Sequence, residues 1–182
     1  LTRDDVTKIK SYTTPPTVLD LVMQGVCVTL GEDANVKFKP KEPGSLEKIQ
    51  DFWEYSKKSI LNDKLIKRIK GFKEENIKAI PPAKIQKLKA LIKDPDFDKD
   101  KIKNASEAAL NLSVWIRACV LTYDALLVVE PKREQLALAQ EQLRQAEELL
   151  QEKKNALQEV LDRLKALEED YQRARKEQEE LE

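Results

Sequence analysis

The chain has 182 residues, with 33 Lys and Arg against 33 Asp and Glu, no His, two Cys and four Gly. The lack of His excludes His-based acid–base catalysis, His-dependent triads and His-containing metal sites. Two Cys cannot form a Cys₄ cluster, and no GxxxxGK segment offers a phosphate loop. The net charge of zero hides an asymmetry, since residues 37–103 carry 19 basic against 11 acidic side chains and residues 131–182 carry 10 against 14.

In chain order, Val6, Ile9 and Tyr12 lie on one side of a helix over residues 1–12, with Asp4 and Asp5 outside. Thr13-Thr14-Pro15-Pro16 stops it, because each proline lacks a backbone donor and restricts the residue before it. The same prolines start a second helix through Leu19, Val22, Val26 and Leu30, with Gly31 as its stop. Residues 32–45 lose the pattern and read as a basic loop insertion, and no stretch alternates as a strand does. Helical spacing returns at Leu46, Ile49, Phe52 and Trp53, and again at Leu65, Ile66, Ile69 and Phe72, with Lys64, Lys67, Arg68 and Lys70 interleaved. Glu74-Glu75 and the acids from Asp94 to Asp100 lack the spacing of a calcium loop and read as solvated loop. Pro81 and Pro82 open a helix with Ile85, Leu88 and Ile92 inside and lysines outside, and Asp94-Pro95 closes it.

The last helix starts near Ser106. From Leu136 a heptad ladder runs through Leu143, Leu150, Leu157, Leu164 and Tyr171. With the intervening Ala139, Ala146, Lys153, Val160, Leu167, Ala174, Gln178 and Leu181, twelve of fourteen positions are apolar. At 1.5 Å per residue this seam extends roughly 70 Å, too far for a compact domain. Counting back in steps of three and four reaches Ala108 through Val129, Leu126, Cys119 and Leu112, so head and rod share one helix. Pro131 is expected to kink that helix without ending it.

Pro15, Pro16 and Pro131 therefore mark two junctions between a head and a stalk. The expected fold is all-α, a small helical bundle inserted at the tip of an antiparallel coiled-coil stalk whose outgoing helix is long and whose incoming one is truncated. Residues 1–14 end the incoming helix, 15–130 form the head and 131–182 the outgoing helix. Leu1 in place of Met and the short incoming strand read as a fragment of a longer protein. Cys27 and Cys119, among apolar neighbours, read as buried thiols of a cytoplasmic protein. No secretory signal opens the chain, and the longest purely apolar run, 125–129, is too short for a bilayer.

Several motifs in order resemble the stalk head of dynein heavy chains: Ile9 to Pro16, Val26 to Gly31, Asp51-Phe52-Trp53-Glu54, Asn104-Ala105-Ser106, Trp115-Ile116-Arg117-Ala118 and Val129 to Arg133. The Phe-Trp-Glu and Trp-Ile-Arg-Ala pieces, with the insertion before residue 45, look axonemal. The resemblance implies a non-catalytic module with no cofactor and no metal, which docks near the intradimer groove of α/β-tubulin and pairs with the upstream stalk helix of the same heavy chain. The family ATPase would lie outside this chain, and localisation would be cytoplasmic and cytoskeletal, in the axoneme of a cilium or flagellum. Membrane and nucleic acid are not expected as partners, although a basic nucleic-acid-binding head on a dimerising coiled coil is the alternative for the charge pattern. Transferred by position, track contacts are Thr17, Asp20 and Gln24 in the first head helix, Lys64, Lys67, Arg68 and Lys70, and Lys101, Lys103 and Asn104 at the start of the last helix. Asp20 and Asn104 stand where cytoplasmic relatives carry basic residues.

Overall fold

A computed structural model describes residues 1–42 and 45–181. It divides into two units, one ending at Val128 and one starting at Val129. The chain runs α1 (Arg3–Lys10), α2 (Thr17–Thr29), a 3₁₀ turn (Asp33–Asn35), β1 (Phe38–Pro40), β2 (Lys48–Gln50), α3 (Phe52–Tyr55) and a π turn (Ser56–Ile60). It continues with α4 (Leu65–Lys70), α5 (Glu74–Lys78), α6 (Pro82–Ile92), α7 (Lys99–Ala105) and α8 (Glu107–Leu181).

The first unit is built around α2. Its sequence is apolar on nearly every side, and Leu19, Val22, Met23, Val26 and Cys27 are all buried. Gly31, at φ +79°, takes the left-handed conformation that closes the helix, as the sequence indicates. Gly25 permits close approach, since a Cβ there would lie 2.7 Å from Ile116 Cδ1 and 3.1 Å from Leu91 Cδ2. Gly25→Ala gains up to about 1 kcal/mol of helix propensity, yet the added methyl would press on Ile116, which is fully buried in the core. Overpacking of about 1–3 kcal/mol wins, so the variant should unfold at lower urea than the parent.

Val6 and Ile9 of α1 are buried in the same cluster as Leu112, Ile116 and Val120 of α8, and the Tyr12 hydroxyl donates to the Ala105 carbonyl at 3.2 Å. The face of α8 that the sequence counted back from the rod, Ala108, Leu112, Cys119 and Leu126, is buried, and Ala109, Ser113, Ile116 and Val120 widen it. Helical structure continues through Pro131 without a break. α8 contains an 18-residue stretch of mean hydropathy 1.7, long and apolar enough by length and composition to cross a membrane, and a third of it is buried. Packing of Leu112, Ile116 and Val120 into the head accounts for part of that apolar character.

The structure corrects the sequence reading at several points. Residues 46–50 are not helical. β2 pairs antiparallel with β1 in the register Phe38–Gln50, Lys39–Ile49 and Pro40–Lys48, leaving Leu46 98% exposed and Ile49 outside the core. The expected loop at 32–45 thus contains a 3₁₀ turn and one strand of a hairpin, while Pro43 and Gly44 lie outside the described residues. A three-residue strand is too short to show period-two alternation, which is why the sequence hides it. Glu74 and Glu75 are not loop but the first turn of α5, where their charge complements the helix N-terminus. The acids before residue 100 likewise end in a helix, with Asp98 capping α7 through the Asp100 and Lys101 amides.

In the second unit the seam side chains are open to solvent. Leu136, Leu143, Leu150, Leu157, Leu164 and Tyr171 are 54–63% exposed. The flanks are stabilised locally, as where Arg144 bridges Glu141 and Glu148.

Candidate functional site

The ten sequence-derived contact residues fall into three groups. The first is freely presented cations. On α4, Leu65 is fully buried, and Ile66 and Ile69 pack on the core, which turns Lys64, Lys67 and Lys70 to solvent. Among the described residues none of these three lysines pairs with a carboxylate, nor does the exposed Lys103 of α7. Asn104 is exposed beside it. Lys101, Lys103 and Asn104 lie on α7 rather than at the start of the last helix, because Ser106, at φ −166° and ψ 124°, is extended and interrupts the helical path.

The second group is paired with carboxylates of the same chain. Arg68 donates to Glu32 Oε1 at 2.7 Å, and Glu32 also accepts from the Tyr55 hydroxyl at 2.8 Å and from Asn35 at 3.1 Å. These contacts, the tyrosine first and the arginine next, hold the Glu32 carboxyl below the ordinary carboxylate range. Stability from such a group is present at neutral pH and lost as pH falls through its depressed folded-state pKa. Glu32→Gln should therefore lower stability by about 1 kcal/mol at pH 7. Urea titrations should show the gap to the parent closing below about pH 4. Lys101 is tied to Asp96 at 2.8 Å, a contact that favours its charged form.

Thr17, Asp20 and Gln24 share one face of α2, on which Thr17 is exposed while Asp20 and Gln24 are half-buried. Thr17 and Asp20 border a groove of about 400 Å³ whose far side is Lys39, Asp51, Trp53 and Lys57. Gln24 borders another, of about 450 Å³, facing Phe52, Lys87 and Leu91. α3 packs against the helix, and Lys39 of β1 and Gln50 of β2 line the two grooves. Burial pushes the Asp20 carboxyl up, and its Oδ1 has no hydrogen-bond partner among the described residues. The charge that replaces a basic residue of the cytoplasmic pattern is thus directed partly inward.

Sequence reasoning missed the hairpin. It exposes Phe38 at 65% together with Lys37 and Lys48, while Lys39 and Lys41 are paired with Asp51 and Glu47. The only signal for it was the density of lysines between residues 37 and 48. Lysines of α6 that the sequence puts outside are partly recruited inward, Lys84 to the buried Asp33 and Lys89 to Asp124 of α8. Cys27 and Cys119 are both free and buried. Cys27 Sγ lies 3.3 Å from Ser56 Oγ, and burial pushes both thiols up to about 11, far from the reactive thiolate range. Among the described residues no cluster of Cys, Asp or Glu has the grouping of a metal site.

A helical head with unpaired cations on short helices, joined by one continuous helix to a solvent-open heptad seam, defines a binding module carried on a coiled-coil stalk. The family model described as the microtubule-binding stalk of dynein motor matches residues 1–181, and the chain belongs to that family. It is 33% identical over 179 residues to dynein axonemal heavy chain 3 of Homo sapiens, covering 98% of this chain and 4% of that protein. To dynein axonemal heavy chain 6 of Homo sapiens it is 30% identical over 178 residues, covering 97% and 4%. The chain thus spans only a small part of the length of the curated relatives it matches. Among solved structures it is similar to the microtubule-binding domain of DYNEIN-C, with 27% identity and a TM-score of 0.55 over 75% of this chain and 84% of that one. These matches bear out the axonemal resemblance, and the region is a non-catalytic part of the motor.

Proposed function

We propose that this segment is the track-docking head of an axonemal dynein, binding the acidic surface of α/β-tubulin through Lys64, Lys67 and Lys70 of α4 and Lys103 and Asn104 of α7. The observation that carries the reading is the exposure of these lysines without internal carboxylate partners, in a chain matched along its length by a microtubule-binding stalk family. Arg68 and Lys101, held by Glu32 and Asp96, act as supports for their helices. Thr17, Asp20 and Gln24 contribute from the edge of the α2 grooves.

The parts divide as residues 1–14, 15–130 and 131–182, an incoming stalk end, a head and an outgoing stalk helix. The open seam from Leu136 to Tyr171 takes the upstream helix of the same heavy chain, and its repeated apolar positions permit more than one discrete pairing. Register shift would then couple track affinity to an ATPase outside this chain, in the axoneme of a cilium or flagellum. The test is cosedimentation with microtubules over a salt series, with intact tubulin and with tubulin stripped of its acidic tails. Binding at low salt that weakens with salt and with tail removal is expected. Absence of binding at low salt, with the incoming helix restored in either register, would overturn the proposal.

A further inference from the structure

The segment between α1 and α2 presents chemistry that track docking does not use. Residues 11–16 form neither helix nor strand, Thr13 and Thr14 are exposed, and Thr14 directly precedes Pro15. A residue before proline is disfavoured in the helical region, and Thr13 and Thr14 lie in a bend, so a Thr-Pro step here can enter an enzyme cleft without unwinding a helix. Thr14 also borders the groove that holds Lys39 of β1 and Lys57 of the π turn.

We propose that Thr14 is a phosphorylation site for a proline-directed protein kinase, and that Lys39 and Lys57 receive the phosphate. The kinase transfers the γ-phosphoryl group of a nucleoside triphosphate. The bond from that phosphorus to the bridging oxygen of the β-phosphate breaks and the bond from Thr14 Oγ1 to phosphorus forms. The nucleoside diphosphate leaves, and the hydroxyl proton passes to the kinase's base.

The groove also contains Asp20, Asp51 and Glu54, so the lysines must change partners for the phosphate to be held. They are free to do so. Lys39 is paired with Asp51, which also accepts from the Glu54 amide at 3.2 Å. Lys57 is paired with Glu54, which also holds Lys58 at 3.0 Å. Each carboxylate keeps a partner when its lysine departs, and a phosphate with close to two negative charges and three acceptor oxygens out-competes a single carboxylate for an ammonium. The modification would fasten the α1–α2 link to the hairpin and to the π turn that follows α3. This inference stands whether or not the head binds microtubules.

The test uses the full chain, ATP and a purified proline-directed kinase. Peptide mass spectrometry should find one phosphate on Thr14 in the folded protein and none at that position in Thr14→Ala. Phosphorus NMR of the modified protein should place the second phosphate ionisation below its ordinary value of about 6. In the Lys39→Gln/Lys57→Gln double variant it should return toward that value, and each single variant should move it part of the way, which keeps the test valid if the double variant is unstable. Failure of the folded chain to accept phosphate at Thr14 would overturn the proposal. So would a phosphate that titrates normally in the parent, or one whose titration ignores both lysines.

Discussion

Phe97→Ala is expected to destabilise the head by about 3–5 kcal/mol, the range for removing a fully buried aromatic ring. Phe97 has no exposed surface although it lies in the connection between α6 and α7. Its ring sits under the Arg117 guanidinium at 5.1 Å, and its carbonyl accepts from the same group at 2.7 Å. Deleting the ring leaves a cavity in the core beneath Arg117 of α8 and removes the cation–π contact that holds Arg117 over it. Urea unfolding followed by the fluorescence of Trp53 and Trp115, both within the head, measures the loss. A change under about 1 kcal/mol would mean that the connection does not seal the core.

Reversing Lys64, Lys67 and Lys70 together to Glu is expected to weaken microtubule binding at least about tenfold at low salt, roughly 1.4 kcal/mol. Three exposed cations become three anions facing an acidic partner, and no internal ion pair among the described residues is broken, because none of the three has one there. Stability should stay within about 0.5 kcal/mol, as for other surface changes. The deficit should shrink as salt rises, since screening removes attraction and repulsion alike. Arg68→Ala is a poorer probe, because it also releases Glu32 and loosens α4 from the end of α2. If the triple reversal binds as tightly as the parent, α4 is not part of the docking surface.

The two predictions rest on features that differ in how openly the sequence displays them. Lys64, Lys67 and Lys70 are visible as cations interleaved with Leu65, Ile66 and Ile69, because a helix repeats every 3.6 residues and three apolar positions reveal its inner side. Phe97 stands in an Asp-rich stretch, and nothing local separates a buried ring from an exposed one there. Within the candidate site the same division holds. Arg68 reads as one more cation of a basic cluster until the fold brings it to Glu32, 36 residues away in the chain.

Features that act over one turn or one peptide bond can be read from neighbouring residues alone. This covers the proline-bounded helix starts, the Gly31 stop, the heptad seam from Leu136 onward and the continuation of one helix through Pro131. Missing backbone donors, left-handed backbone and apolar spacing are properties of neighbouring residues, so they can be read in order. Long-range contacts set the pairing of β1 with β2, the placing of Lys39, Asp51 and Trp53 across a groove from Asp20, and the holding of Arg68 and Lys101 where, among the described residues, Lys64, Lys67, Lys70 and Lys103 have no carboxylate partner. Those outcomes depend on which distant groups come within hydrogen-bonding range, and the free energy that selects them is the burial of a core to which α1–α4 and α6–α8 contribute, with Ile77 of α5 in a smaller cluster beside Cys119 and Leu126.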